Sequence, residues 1–113
     1  MNWKLLTTED QLNQIKSASA QTPQVIFKHS TRCATSSMAK SRLERSQTPE
    51  KVDFYFLDLI KYRNISNKIE SVFMVNHESP QVLLIKNGEC VYEESHNGIS
   101  MDEIVEQIKI SKI

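Results

Sequence analysis

The chain has 113 residues, 39% of them hydrophobic and 25% charged, which suits a single domain over residues 1–113 and is too apolar for a disordered segment. Fourteen basic side chains balance fourteen acidic ones, so there is no broad basic footprint for nucleic acid or an anionic membrane surface. No apolar run approaches the ~20 residues of a membrane span, and Met1-Asn2-Trp3-Lys4 has no signal-peptide core, so a cytoplasmic location is expected. In that compartment Cys33 and Cys90 are expected as free thiols rather than as a structural disulfide.

Trp3-Lys4-Leu5-Leu6 reads as a brief edge strand. Thr8-Glu9-Asp10-Gln11 has the form of a capping box, and Leu12 and Ile15 follow at helical spacing, so a helix is expected from about Glu9 to Ser19. Pro23 precedes Val25-Ile26-Phe27-Lys28, a short buried strand. The strand leads through His29-Ser30-Thr31-Arg32 to Cys33, and good helix formers then continue to about Ser46, ahead of Pro49. Val52-Asp53-Phe54-Tyr55-Phe56-Leu57-Asp58 is the strongest strand, and its unbroken apolar run suggests a central position with both faces covered.

Tyr62, Ile65, Ile69, Val72 and Phe73 form a helical stripe. Val82-Leu83-Leu84-Ile85 and Cys90-Val91-Tyr92 flank Asn87-Gly88, the signal for a hairpin with a type I′ turn. Ser100 caps a last helix that buries Met101, Ile104, Val105 and Ile108. The order is (β)αβαβαββα, an α/β fold with a central mixed sheet flanked by helices. With a cysteine after the first buried strand, this string is similar to the thioredoxin-like arrangement.

Cys33 carries the chemistry. A thiol where a helix begins meets unpaired backbone N–H groups and the positive end of the helix dipole, both of which favour thiolate over thiol. Lys28, His29 and Arg32 add positive or potentially positive groups nearby. A dithiol oxidoreductase needs a second cysteine three residues on, but Cys33-Ala34-Thr35-Ser36 ends in serine, so an outside thiol must complete any exchange. Ser36 either hydrogen-bonds the thiolate or its ligand, or satisfies a first-turn backbone group.

In His77-Glu78-Ser79-Pro80-Gln81, a thioredoxin-like fold would set a cis Pro80 against the cysteine. The backbone of Ser79 would then pair with an extended thiol substrate. Cys90 reads as a small packing residue, since the hairpin tip should lie toward the opposite end of the sheet from Cys33. His96, in Ser95-His96-Asn97-Gly98, is either a solvated loop residue or a contact to the cysteine or its ligand. The histidines and cysteines lack zinc-ligand spacing, and Gly88 and Gly98 make no phosphate loop, so no metal and no tightly bound cofactor is expected.

Phe27-Lys28-His29-Ser30-Thr31-Arg32-Cys33, Ser36, His77-Glu78-Ser79-Pro80-Gln81, Ser95-His96, Ile99-Ser100 and Trp3 together resemble the YtxJ-type monothiol bacilliredoxins. The usual family motif is Thr-Cys-Pro-Ile-Ser; here Arg32 separates Thr31 from Cys33, and Ala34-Thr35 stand in place of Pro-Ile. The resemblance implies a thiol–disulfide oxidoreductase that removes bacillithiol, its co-substrate, from S-bacillithiolated client proteins. In that scheme Cys33 takes up the bacillithiol and a second low-molecular-weight thiol releases it. By charge, Arg32, Lys28 and His96 are the groups to pair with the malate carboxylates of bacillithiol. Two other readings are a monothiol glutaredoxin-like carrier of an iron–sulfur cluster and a thioredoxin-like adaptor.

Overall fold

The computed structural model describes residues 1–110. Its elements follow the expected order: β1 (Trp3–Leu5), α1 (Asp10–Ala18), β2 (Gln24–His29), α2 (Ala34–Arg45), β3 (Asp53–Asp58), α3 (Arg63–Phe73), β4 (Gln81–Lys86), β5 (Glu89–Ser95) and α4 (Met101–Ile110). A 3-10 turn at His96–Gly98 leads into α4. The strands stand side by side as β1-β3-β2-β4-β5. β1, β3 and β2 are parallel, whereas β4 and β5 run antiparallel to their neighbours.

The aromatic run of β3 does bury side chains on both faces. The central place, however, belongs to β2, all six residues of which are buried. Alternation along β2 then divides the core. Ile26 packs with Leu12 and Ile15 of α1 and with Ile65, Ile69 and Phe73 of α3. Val25 and Phe27 pack on the other side with Ala39 and Leu43 of α2 and with Met101 and Ile104 of α4. Ser36, Ala39 and Leu43 are the buried residues of α2, spaced three and four apart, so the face that α2 turns to the sheet starts at Ser36.

Local chemistry sets the connections. Asn87 (φ 52°) and Gly88 (φ 79°) both adopt the left-handed conformation that a type I′ turn demands. That turn is tied to the end of α1: Asn87 N–H donates to the Ser19 carbonyl (2.9 Å) and Gly88 N–H to Ser19 Oγ (2.8 Å). The register between β4 and β5 shifts so that Leu84 faces Tyr92 and Ile85 faces Cys90, leaving Val91 as an extra residue. At the start of α1 only part of the expected capping box forms. Gln11 Oε1 accepts the N–H groups of Thr7 (2.7 Å) and Thr8 (3.0 Å), while Glu9, at the cap position, makes no side-chain cap. Ser100 caps α4 as expected, its Oγ accepting the Glu103 N–H at 3.2 Å.

Phe27 is fully enclosed, with Trp3 stacked at 5.6 Å and Phe56 at 6.2 Å. Phe27→Ala should therefore cost about 3–5 kcal/mol of stability, read from urea unfolding.

Candidate active site

Cys33 is the residue at which extended chain turns into helix: it caps α2 in an extended conformation (φ −115°, ψ 119°). Its carbonyl accepts the Ser37 N–H at 3.1 Å and its N–H donates to the Ser30 carbonyl at 3.2 Å. The backbone is thus held on both sides while the side chain makes no capping hydrogen bond. The thiol is half-buried between the exposed residues Arg32 and Ala34. It stands at the open start of a 12-residue helix, whose first N–H groups have no partners within the helix.

Ser36 is part of the core. It is 0% exposed, and its Oγ accepts the Ser30 N–H at 3.0 Å and meets His29 Nδ1 at 2.7 Å. The pair is satisfied when the hydroxyl accepts from Ser30 and donates to the Nδ1 of a neutral His29. Burial pushes the His29 imidazole below its usual range, and the charge of Lys40 adds to the effect. His29 is therefore held neutral and supplies a hydrogen bond rather than positive charge to the cysteine loop. Of the two roles read for Ser36 in the sequence, backbone satisfaction is the one seen, although the N–H it satisfies belongs to the Ser30 loop and not to the first turn.

Lys28 lies on the other face of β2. It is 0% exposed, and its Nζ is 2.8 Å from His77 Nδ1, so it presents no ammonium to a ligand at the surface. Of the three groups read as positive charge near the thiol, Arg32 remains, exposed one residue from Cys33.

The Ser79–Pro80 peptide is cis. Lys28 faces Gln81 across the β2–β4 ladder, and continuing that register sets Pro80 opposite His29 and Ser79 opposite Ser30. The proline segment therefore borders the loop that carries Cys33. Ser79 Oγ is buried there without a hydrogen-bond partner. His96 reaches the same segment: its N–H donates to the Pro80 carbonyl at 3.1 Å. Its imidazole is exposed and turned toward Glu78, 3.8 Å away. Arg42 of α2 completes the link, donating to the carbonyls of His96 (3.4 Å) and Ile99 (3.0 Å).

A shallow cavity of about 430 Å³ runs along α2 beside this loop, lined by His29, Thr31, Ser37, Lys40, Glu44 and Phe56 among others. A larger one, about 650 Å³, lies over α1 with none of these groups in its wall.

Cys90 is remote. It pairs with Ile85, which pairs with Gln24 at the opposite end of β2 from Cys33. Five steps of ~3.3 Å along β2 already separate those ends by roughly 16 Å, beyond the ~7 Å that a disulfide tolerates between Cα atoms. Its thiol donates to the Tyr92 carbonyl at 3.3 Å, and burial pushes its pKa up to about 11.

Sequence reasoning missed His77 as a functional partner, although a lysine inside the apolar strand Val25-Ile26-Phe27-Lys28 signals that some polar group must meet it. Two measurements check these assignments. Iodoacetamide at pH 8 should alkylate Cys33 and leave Cys90 unmodified by peptide mass mapping. Ser36→Ala strands the Ser30 N–H and His29 Nδ1, and should lower unfolding stability by about 1–3 kcal/mol.

Residues 4–104 match the family described as monothiol bacilliredoxin BrxC. Among solved structures, a candidate oxidoreductase with a thioredoxin fold superposes with a TM-score of 0.78 at 27% identity, over 90% of this chain and 89% of the other. Fasciola hepatica thioredoxin superposes at 0.75 with 17% identity, over 96% and 99% of the two chains. Malassezia sympodialis thioredoxin gives 0.71 with 21% identity, over 96% and 89%. The last two speak for the fold alone: an α/β thioredoxin-like sheet flanked by helices. The family match and the 27%-identical oxidoreductase, with a half-exposed thiol at a helix start, identify a thiol–disulfide oxidoreductase, and the chain belongs to the monothiol bacilliredoxin BrxC family.

Proposed function

We propose that the protein removes bacillithiol from S-bacillithiolated client proteins in the cytoplasm by monothiol exchange at Cys33. The Cys33 thiolate attacks the bacillithiol sulfur of the mixed disulfide. The client sulfur leaves with the bonding pair and is protonated by solvent, while Cys33 becomes disulfide-linked to bacillithiol. A second low-molecular-weight thiolate then attacks that bacillithiol sulfur, forming the free disulfide and releasing the Cys33 thiolate. One disulfide is consumed and one is formed in each step.

The observation that carries this reading is the absence of a resolving thiol within reach of Cys33. Position 36 is a buried serine, and Cys90 sits at the far end of the sheet. Backbone pairing of an extended client with Ser79, ahead of the cis Pro80, would hold the scissile disulfide beside Cys33. Arg32 is the exposed cation nearest in sequence for the malate carboxylates, and His96, beside Glu78, is the second candidate. Lys28 is left out because its ammonium is enclosed. The cavity bordered by Thr31, Ser37 and Lys40 has room for the remainder of a small thiol, and its hydroxyls suit the hydroxyl groups of a sugar.

Mass spectrometry of the protein and its Cys33→Ser variant after exposure to oxidised bacillithiol tests the reading. The expected result is one bacillithiol adduct at Cys33, reversed by added bacillithiol and absent from the variant. Modification confined to Cys90 would defeat it.

A further inference from the structure

Lys28 is a charged residue enclosed at the next-to-last position of the central strand, on the face away from α2. An apolar side chain would fill that place without the desolvation cost of an ammonium, so stability alone does not account for it. Its Nζ meets His77 Nδ1 at 2.8 Å, and Ser66 Oγ, also fully enclosed, lies 3.4 Å from the same nitrogen. The His77 backbone N–H donates to Glu70 Oε2 at 2.7 Å. Groups from β2 and α3 thus converge on one residue of an otherwise exposed segment, Asn76-His77-Glu78, which runs directly into Ser79 and Pro80. Gln81, the first residue of β4, returns the tie by donating from Nε2 to the Asn76 carbonyl at 3.1 Å.

We propose that Lys28 is a positioning residue: by donating to His77 Nδ1 it holds the Asn76–Pro80 segment where the Ser79 backbone can receive substrate, and protonation of His77 releases that hold. The link to substrate rests on the binding role given to Ser79 and Pro80 above. The hydrogen bond needs an unprotonated Nδ1, which leaves the ring proton of neutral His77 on Nε2. An imidazolium and an ammonium repel each other at 2.8 Å, and neither offers the other an acceptor.

The groups acting on His77 are Lys28 from β2, Arg63 and Glu70 from α3, and Glu78 from its own segment. Burial, followed by the charge of Lys28, keeps the imidazole below its usual 6.5. Burial also lowers Lys28 to about 8, partly offset by Glu70. Both folded-state values are depressed. For His77 the neutral, bonded form is complete above pH 6.5 and is lost as acid protonates the ring. For Lys28 the cost of the buried charge is present in full below about pH 8 and fades as pH rises toward 10.5.

Two readouts on three variants decide the proposal: amide hydrogen exchange at residues 77–79, and single-turnover reaction of Cys33 with an extended peptide bearing a chromogenic aryl disulfide. In Lys28→Met the 77–79 amides should exchange at least ~10-fold faster, while the melting temperature does not fall. The half-saturating peptide concentration should rise roughly tenfold with the maximal rate within about twofold, the signature of lost positioning. His77→Leu, at an exposed position, should reproduce this should Lys28→Met fail to fold. His77→Asn offers Lys28 an amide oxygen at the Nδ1 position that does not titrate, so it should restore wild-type half-saturation and abolish its rise below pH 6.5. Unchanged amide exchange in both Lys28→Met and His77→Leu would overturn the hold itself. Faster exchange with unchanged half-saturation would instead overturn the substrate role of Ser79 and Pro80, and with it the proposal.

Discussion

A serine hydroxyl shut between the first turn of α2 and the end of β2 sets the chemistry open to this protein. Ser36 Oγ holds the Ser30 N–H at 3.0 Å and the His29 ring at 2.7 Å, with no access to solvent. A thiol at that position could close a disulfide with Cys33; an enclosed, fully engaged hydroxyl cannot. The same bonds brace the loop that carries Cys33, because Ser30 is also the residue whose carbonyl accepts the Cys33 N–H. One group therefore leaves the cysteine without a thiol partner at that position and braces the backbone that carries it.

The central strand sends a different polar residue to each of its faces. His29, turned toward α2, is kept neutral by burial and serves the cysteine loop through Ser36. Lys28, turned toward α3, meets the segment that leads to Pro80 through His77. Both loops at the Cys33 end of the sheet are thus tied to adjacent residues of one buried, six-residue strand. Arg42 adds a third tie by binding the carbonyls of His96 and Ile99 from α2, while His96 N–H binds Pro80. The cysteine loop and the proline segment are each held from the central strand, and the turn before α4 is held both from α2 and by the proline segment itself.

Much of this was legible in the residues themselves. Periodicity and turn chemistry gave each strand and helix, and Asn87-Gly88 adopts the turn its residue types demand. Cys33 was expected at a strand-to-helix junction and is found there. The misses involve partners distant in sequence. Lys28 read as free charge because nothing local reveals that His77, 49 positions away, will cover it. His29 also read as charge, although the period of two along β2 that turns Val25 and Phe27 to the α2 side carries His29 with them. The spacing of Ser36, Ala39 and Leu43, three and four apart, is itself a signal for a buried serine. At β3, a strong apolar run suggested the central position, but hydrophobicity reports coverage of both faces and says little about rank within a sheet.

The dependence of adduct decay on external thiol tests most directly whether Cys33 works without an internal partner. With the protein preloaded as its Cys33–bacillithiol mixed disulfide, the rate of return to free thiol is measured against the concentration of added bacillithiol. The account predicts a straight line through the origin, unchanged in Cys90→Ser. A finite rate at zero added thiol that disappears in Cys90→Ser would mean that Cys90 reaches the adduct, and would contradict it.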